Sequence, residues 1–273
     1  MTQASLQAVY GLGLSCPFGL PGAVSLSAGA AELNIVQGAA TLLDEAVQRG
    51  PYRQLGEQIE LTIPAAGRFL LTGPGRLEVF PYPGVDPEVF AAFVVASGLP
   101  MLLWQRGGLL LHASGVELNG KAIGIAGPSG VGKSTLARAL LDAGGRLIGD
   151  DTLWLADPQR PALAAGLNGG QFLRQADGEV QFAALPSERR AGSTPLDAVV
   201  ILARGPGQLA RLGPLAAVQA LLGQRHRPAV PAMLGRDAQV LAHCTALAAA
   251  VPVFTLGLEA GAVAPAAAAL VAL

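Results

Sequence analysis

Apolar and polar positions along this chain fall into two regimes. Up to about residue 85 the apolar stretches are short, Gln58–Ile63, Arg68–Leu71 and Arg76–Phe80 among them. Recurrent glycine and proline separate them (Pro17, Gly19, Pro21, Gly22, Gly73, Pro74, Gly75). Such runs between turn residues predict a β-rich meander over residues 1–85. Tyr82-Pro83-Gly84-Val85-Asp86-Pro87 reads as a joint, with Asp86 capping a helix over Glu88–Ser97 and Pro87 in its first turn. Met101–Arg106 continues that helix after a break at Gly98 and Pro100.

From Leu109 the pattern changes to longer apolar strands alternating with helices. Leu109–Leu111, Gly115–Leu118 and Lys121–Ala126 predict strands, and Asn119-Gly120 predicts a tight hairpin between the last two. Leu136–Leu141 predicts a helix that Gly144-Gly145 can end. Arg146–Gly149 predicts a short strand, Leu196–Leu202 another and Val251–Leu258 the last. Residues 213–250 and the alanine-rich Ala260–Leu273 read as mostly helical. After Leu155 the pattern weakens. The fold class expected is α/β, with a β-rich N-terminal segment over 1–85 and a second domain over 86–273.

The run Gly127-Pro128-Ser129-Gly130-Val131-Gly132-Lys133-Ser134-Thr135 fits G-x-x-x-x-G-K-[ST] in full, between a predicted strand and a predicted helix. Glycines let the backbone turn so that its N–H groups face phosphate oxygens. Lys133 adds a mobile cation, and Ser134 can offer its hydroxyl to Mg²⁺. The helix behind presents its positive end to the same anion. Gly127, Ser129, Gly130, Val131, Gly132, Lys133, Ser134 and Thr135 are therefore the expected nucleotide-binding set, with ATP and Mg²⁺ as cofactors.

Asp150-Asp151 closes the strand that follows this helix. Ligands in such sheets sit at the carboxyl ends of strands. One carboxylate can hold Mg²⁺, the other can take a proton from an attacking hydroxyl. The alternative is that Asp151 caps a turn and Asp150 is solvated. The pair comes soon after Lys133, and no Asn-Lys-x-Asp run for guanine recognition is present, which argues against a GTPase switch.

Composition narrows the rest. The chain has 273 residues, 14% of them charged, and a net charge of −1, with no basic stripe to suit nucleic acid or an anionic membrane. Much of its high hydropathy comes with alanine and glycine, which do not imply a membrane. The apolar stretches Val89–Trp104 and Thr245–Leu273 are interrupted by glycine, proline or glutamate, and neither is expected to span a membrane. No secretory signal stands at the start, and Cys16 and Cys244 read as two buried thiols in a reducing cytosol. A cytoplasmic location is expected.

Leu111–Val116, Gly124–Thr135 and Arg146–Asp151 together resemble the HPr kinase/phosphorylase family, and more narrowly the HPr-kinase-like proteins of bacterial peptide-tailoring gene clusters. The close match covers about Gln105–Leu155. The resemblance implies a P-loop kinase core of the HPr kinase and phosphoenolpyruvate carboxykinase type. It also implies ATP-dependent phosphorylation of a serine hydroxyl. It carries Lys133 and Ser134 over directly, makes Asp150 the catalytic base and places Asp151 near the metal. His112 matches a histidine near the phosphates; the alternative is a half-buried histidine closing a strand. The glycine-rich signature that follows the acidic pair in true HPr kinases is missing, and the N-terminal portion differs. HPr itself and phosphorylase activity are therefore not expected. The family's later glutamate and arginine have only candidates here: Glu179, Glu188, Arg189, Arg190, Arg225 and Arg227. The expected partner is a peptide or small protein carrying a serine, with a homo-oligomer left open. A small-molecule kinase and a non-catalytic ATP-sensing module are the competing readings.

Overall fold

The computed structural model describes residues 4–38, 43, 46–174, 180–259 and 261–273. The chain divides into two compact units, one of residues 1–107 with 227–237, the other of 108–226 with 238–273.

The first unit is built on a nine-stranded sheet of β1 (Ser5–Val9), β2 (Leu12–Cys16), β3 (Val24–Ser25), β4 (Leu33–Gln37), β5 (Val47–Arg49), β6 (Tyr52–Leu55), β7 (Gln58–Ile63), β8 (Gly67–Gly73) and β9 (Arg76–Pro81). Their order is β3-β1-β2-β4-β9-β8-β7-β6-β5. The three strands expected in this region are β7, β8 and β9, and they form the antiparallel meander predicted for them. In β9, Leu77 and Val79 are buried on one face, and Phe80 on the other is buried in a small cluster with Leu70 and Leu43.

Asp86 caps α1 (Pro87–Phe93), its carboxylate accepting from the Glu88 and Val89 N–H groups at 2.8 and 3.2 Å. The expected break at Gly98 and Pro100 does not occur. A π-turn over Val94–Gly98 carries the helix directly into α2 (Leu99–Arg106), with Pro100 in the first turn of α2. The wider turn absorbs the N–H that proline lacks. Pro87–Arg106 is long and apolar enough to cross a membrane by length and composition, and 67% of its most apolar window is buried in the fold. Leu99, Met101, Leu102, Leu103 and Trp104 are all fully buried.

The second unit opens with β10 (Leu109–Leu111), β11 (Ala113–Leu118) and β12 (Lys121–Ala126). The turn between β11 and β12 has φ of 52° at Asn119 and 76° at Gly120, both positive as a tight hairpin demands. Then follow α3 (Lys133–Asp142), β13 (Arg146–Gly149), β14 (Leu153–Leu155), β15 (Leu163–Gly166), β16 (Gly170–Arg174), β17 (Val180–Ala184), β18 (Thr194–Pro195), β19 (Ala198–Arg204) and β20 (Ala210–Arg211). The chain closes with α4 (Pro214–Gly223), α5 (Ala229–Met233), which belongs to the first unit, α6 (Asp237–Ala250), β21 (Val253–Leu258) and α7 (Val263–Val271).

The main sheet of this unit has the order β13-β11-β12-β19-β21-β20, with β12, β19 and β21 parallel. A smaller sheet, β10-β14-β15-β18, and the hairpin β16-β17 complete it. Leu136, Ala137, Leu140 and Leu141 of α3 share one core with Ile123, Ile125, Val200, Leu202 and Leu256 from the strands. Burying each such leucine contributes about 2 kcal/mol, so the apolar stripe of α3 fixes the helix rigidly behind the loop that precedes it. The described part of the chain is thus mixed α/β with several sheets.

Candidate functional site

The glycine run spans the connection from β12 to α3, as predicted. Gly127, Gly130 and Gly132 have φ of 150°, 72° and 109°, a region that side chains strongly disfavour. A methyl group on Gly127 would also lie 2.8 Å from the Leu202 carbonyl oxygen. The loop is therefore shaped by its glycines, and its last one leads straight into the first turn of α3.

Lys133 opens that helix and is only 6% exposed. Its Nζ donates to the carbonyls of Gly127 and Pro128 at 2.9 and 3.2 Å. Burial pulls its ammonium below the usual lysine range, while the charges of Asp151 and Asp150 oppose that shift. Ser134 follows, and its Oγ donates to Asp150 Oδ1 at 3.1 Å. Thr135 is exposed at the rim.

Asp150 and Asp151 lie beyond β13 and occupy different environments. Asp150 is 8% exposed, and its Oδ1 also accepts from Ser114 Oγ of β11 at 2.5 Å. Burial raises its carboxyl above the usual carboxylate range and the Asp151 charge adds to this; the two hydroxyls and the Asp151 N–H oppose it. Asp151 has φ of 67°, and its side chain is 40% exposed. Burial tends to raise its carboxyl, but the hydrogen bond from His112 and the charges of His226, His112 and Lys133 outweigh it, and the net direction is down.

His112 sits between β10 and β11, and its Nε2 is 3.4 Å from Asp151 Oδ1. A residue that sequence reasoning missed completes this corner. The His226 ring stacks on His112, with centroids 5.3 Å apart and planes at 24°, and its Nδ1 is 2.5 Å from Thr152 Oγ1. Two backbone hydrogen bonds hold the segment there, His112 N–H to the Gln224 carbonyl at 2.7 Å and His226 N–H to the Leu110 carbonyl at 3.0 Å.

These groups border a cavity of about 540 Å³, lined by His112, Lys133, Ser134, Arg138, Asp151 and Phe172 together with the loop. Of the sequence-predicted residues, His112, Ser129, Gly130, Gly132, Lys133, Ser134, Thr135 and Asp151 line this cavity and Asp150 lies beneath it, bonded to Ser134, whereas Gly127 and Val131 belong to the loop but do not line it. None of the arginine candidates lines this cavity, although Arg225 pairs with Leu111 beside His112. Arg189 donates to the Leu141 and Gly145 carbonyls and Arg190 to the Leu185 carbonyl, at the far end of α3. Glu188 lies beside Arg189 in the same turn. Arg225 Nε donates to the Leu222 carbonyl, and Arg227 belongs to the first unit, where it bonds the Ala96 carbonyl. Glu179 lies outside the described residues. The cations beside the loop are instead Arg138 on α3 and Arg204 at the end of β19, whose Nη2 is 3.5 Å from the Ser129 carbonyl. Both thiols are buried and unpaired with each other, and burial pushes Cys16 up to about 11 and Cys244 to about 12.

Fold and site together define an α/β chain with a glycine loop, a lysine and two acids around one cavity. No family model matches the chain, and no curated protein matches it. Among solved structures it is similar to the HPr(Ser) kinase/phosphatase from Coxiella burnetii, at 16% identity over 60% of this chain and 87% of that one, with a TM-score of 0.39. Function is therefore read from the site's own geometry.

Proposed function

We propose that this chain is an ATP- and Mg²⁺-dependent phosphotransferase acting on a hydroxyl, the acceptor being a serine of a peptide or small protein. One observation carries the reading: Ser134 is tied to buried Asp150 directly behind the loop, while Asp151 faces the same cavity as Lys133. The serine acceptor rests on the resemblance of residues 105–155 to HPr-kinase-like proteins.

The donor set fits Mg²⁺. Ser134 and Asp150 offer hard oxygen donors, and among the described residues no group of three or more His, Cys, Asp or Glu is disposed to hold a metal unaided. Mg²⁺ suits such a site, since it is commonly held by one or two protein oxygens plus substrate phosphates and water. Ser134 and Asp150 would hold it, and when bound it supplies charge neutralisation on the phosphate oxygens.

Lys133 would leave the Gly127 and Pro128 carbonyls for the anionic substrate, exchanging neutral acceptors for charged ones. Arg138 adds positive charge to the cavity wall. Asp151 takes the proton of the acceptor hydroxyl as that oxygen bonds to the terminal phosphorus and the bond from phosphorus to the bridging oxygen breaks. His112 holds Asp151 ionised and oriented. This division reverses the sequence expectation of Asp150 as base. Asp150 lies behind Ser134 and already accepts two hydroxyls, whereas Asp151 is the carboxylate that reaches the cavity.

The test uses purified chain, Mg²⁺ and γ-labelled ATP with extract of the source cells split into macromolecular and small-molecule fractions, and Lys133→Ala as control. Alkali-labile label on a peptide or protein, with wild type alone, is the expected result. Label confined to a metabolite would replace the acceptor. Tight ATP binding with no labelled acceptor in either fraction would overturn the reading in favour of a nucleotide-sensing module.

A further inference from the structure

The cavity of the acids has one wall that phosphoryl transfer leaves unused. The loop, Lys133 and Ser134 serve the phosphates and the metal, and Asp151 and His112 serve the hydroxyl, but Phe172 and Leu173 of β16 line the same cavity. Both are half-buried. Successive side chains of a strand point to opposite faces. Two neighbours that line one cavity therefore show it meeting β16 along an edge and not across a face. No residue of β17 lines the cavity, so this is the edge that β17 does not cover.

That edge is open. β16 and β17 form a two-stranded sheet with no third strand among the described residues. The register decides which groups the edge presents. The Leu185 N–H donates to the Gly169 carbonyl at 2.9 Å, which continues the ladder of β17 on β16. Bonded pairs alternate in an antiparallel ladder, so Gln171–Ala183 and Leu173–Gln181 are the bonded pairs, while Gly170 and Phe172 turn their N–H and C=O groups outward. Phe172 and Phe182 face each other as a pair between them, their rings 5.2 Å apart. The outward N–H and C=O of Phe172 bond no described backbone group. Such an edge is a template for another extended chain. Gln171 is fully buried and its Nε2 lies 3.4 Å from the Ser134 carbonyl, which sets the strand against the first turn of α3.

Resting on the phosphotransferase reading, we propose that the free edge of β16 is the docking strand for the acceptor. The acceptor adds to β16 at Phe172 as an extended segment, with its serine in the cavity beside Asp151. Phe172 and Leu173 then lie against the residues flanking that serine and select apolar ones. The acceptor class so defined is an extended peptide segment with an apolar residue next to the serine. A metabolite has no backbone to pair with this edge.

Transfer from γ-labelled ATP in Mg²⁺ to an arrayed library of serine peptides tests this, each pool fixing one residue beside a central serine. Pools with leucine, isoleucine or phenylalanine fixed should take up about tenfold more label than pools with aspartate or lysine. Phe172→Ala should flatten that preference and raise the KM for the best peptide by about tenfold, with the KM for ATP held within about twofold. Phe172→Leu, which keeps an apolar wall, should keep the preference. Methylating the backbone amides of the best peptide one at a time needs no variant to fold. Every second amide of an added strand faces β16, so alternate methylations should weaken labelling by about three- to tenfold and those between should not. Peptides labelled without apolar preference, a preference that survives in Phe172→Ala, or methylations that all act alike would overturn the docking strand and leave the phosphotransferase reading standing. Label in a metabolite of the source cells and in no peptide pool would do the same. ATP bound with nothing labelled would overturn the phosphotransferase reading itself, and the docking strand with it.

Discussion

Replacing Asp150 by asparagine should make the ligand-free chain more stable, even though Asp150 sits at the heart of the site. Asp150 is 8% exposed, and burial, then the Asp151 charge, raises its carboxyl above the ordinary value of 3.8. A raised carboxyl holds more protons in the native chain than in the unfolded one. Its contribution to stability is full below 3.8 and is lost as pH rises through the folded value, so the wild type carries a penalty that grows toward alkaline pH. An ion buried to this extent costs several kcal/mol after relaxation. Hydrogen bonds to a charged group return about 1.5–3 kcal/mol each, against about 0.5–1.5 for neutral ones. Both serine hydroxyls donate to the one Oδ1, which asparagine retains as its amide oxygen, and the Asp151 N–H is a third donor to the carboxylate, so asparagine forfeits that difference three times. The net gain is about 1–2 kcal/mol, which for a unit of this size corresponds to a rise of roughly 2–8 °C in Tm. Thermal melts followed by circular dichroism in a chelator, at steps from about pH 8 down to about pH 5, would measure it. The gap should be widest at the alkaline end and shrink on acidification. Asp151→Asn should behave in the opposite sense. Its carboxyl is held low, so its contribution is present above 3.8 and lost as pH falls through the folded value, and its removal costs up to about 1 kcal/mol given its exposure. An Asp150→Asn chain that melts below wild type near pH 8, or a gap that ignores pH, would refute the reasoning.

The remaining expectations concern catalysis and the loop. Asp151→Asn should lower phosphoryl transfer by about 10²–10⁴-fold with little change in ATP affinity, measured by single-turnover transfer and by calorimetry. His226→Ala should lower kcat by about 10–100-fold, because His112 loses the ring it stacks on, while the KM for ATP holds. His226→Gln can still bond Thr152 but cannot stack on His112, so its kcat should fall nearly as far as with alanine, and full recovery by glutamine would refute the stacking role. Gly127→Ala should cost about 1–3 kcal/mol of stability in a melt, since the loop demands φ of 150° and the added methyl group meets the Leu202 carbonyl.

What could be read in the sequence was local. The hairpin at Asn119-Gly120, the strand before the glycine run and the helix after it each announce themselves within a few residues, and each stands where expected. The cap at Asp86 was equally legible, but the π-turn at Val94–Gly98 was not, because proline reports only a missing donor and not how the backbone compensates. Strands β14 to β18 escaped because they are short, are divided between one small sheet and one hairpin, and carry no sustained alternation. His226 escaped for a different reason. It reaches Thr152 across 74 residues, and a single histidine between two arginines has no pattern to mark it. Arg204 ends a strand whose apolar run was seen, but the loop it reaches is 75 residues earlier in sequence.

The unlike fates of two adjacent, identical residues are the part of the site that only the backbone explains. Gly149, just before the pair, touches Gly166 so closely that a methyl group on either would lie 2.4 Å from the other's Cα. Strand β13 can therefore press against β15 with no side chain between them, and Asp150 follows at that depth, under Ser114 and Ser134. One residue later the chain takes φ of 67° at Asp151 and turns its carboxylate to the cavity wall and His112. Aspartate and asparagine tolerate that conformation better than alanine does, for which it costs roughly 1–2 kcal/mol. Asparagine is thus the substitution that separates charge from backbone at position 151, and alanine conflates the two. One acid tied to the loop serine and its neighbour facing the cavity follow from a glycine contact and one left-handed residue, with no difference in side-chain chemistry required.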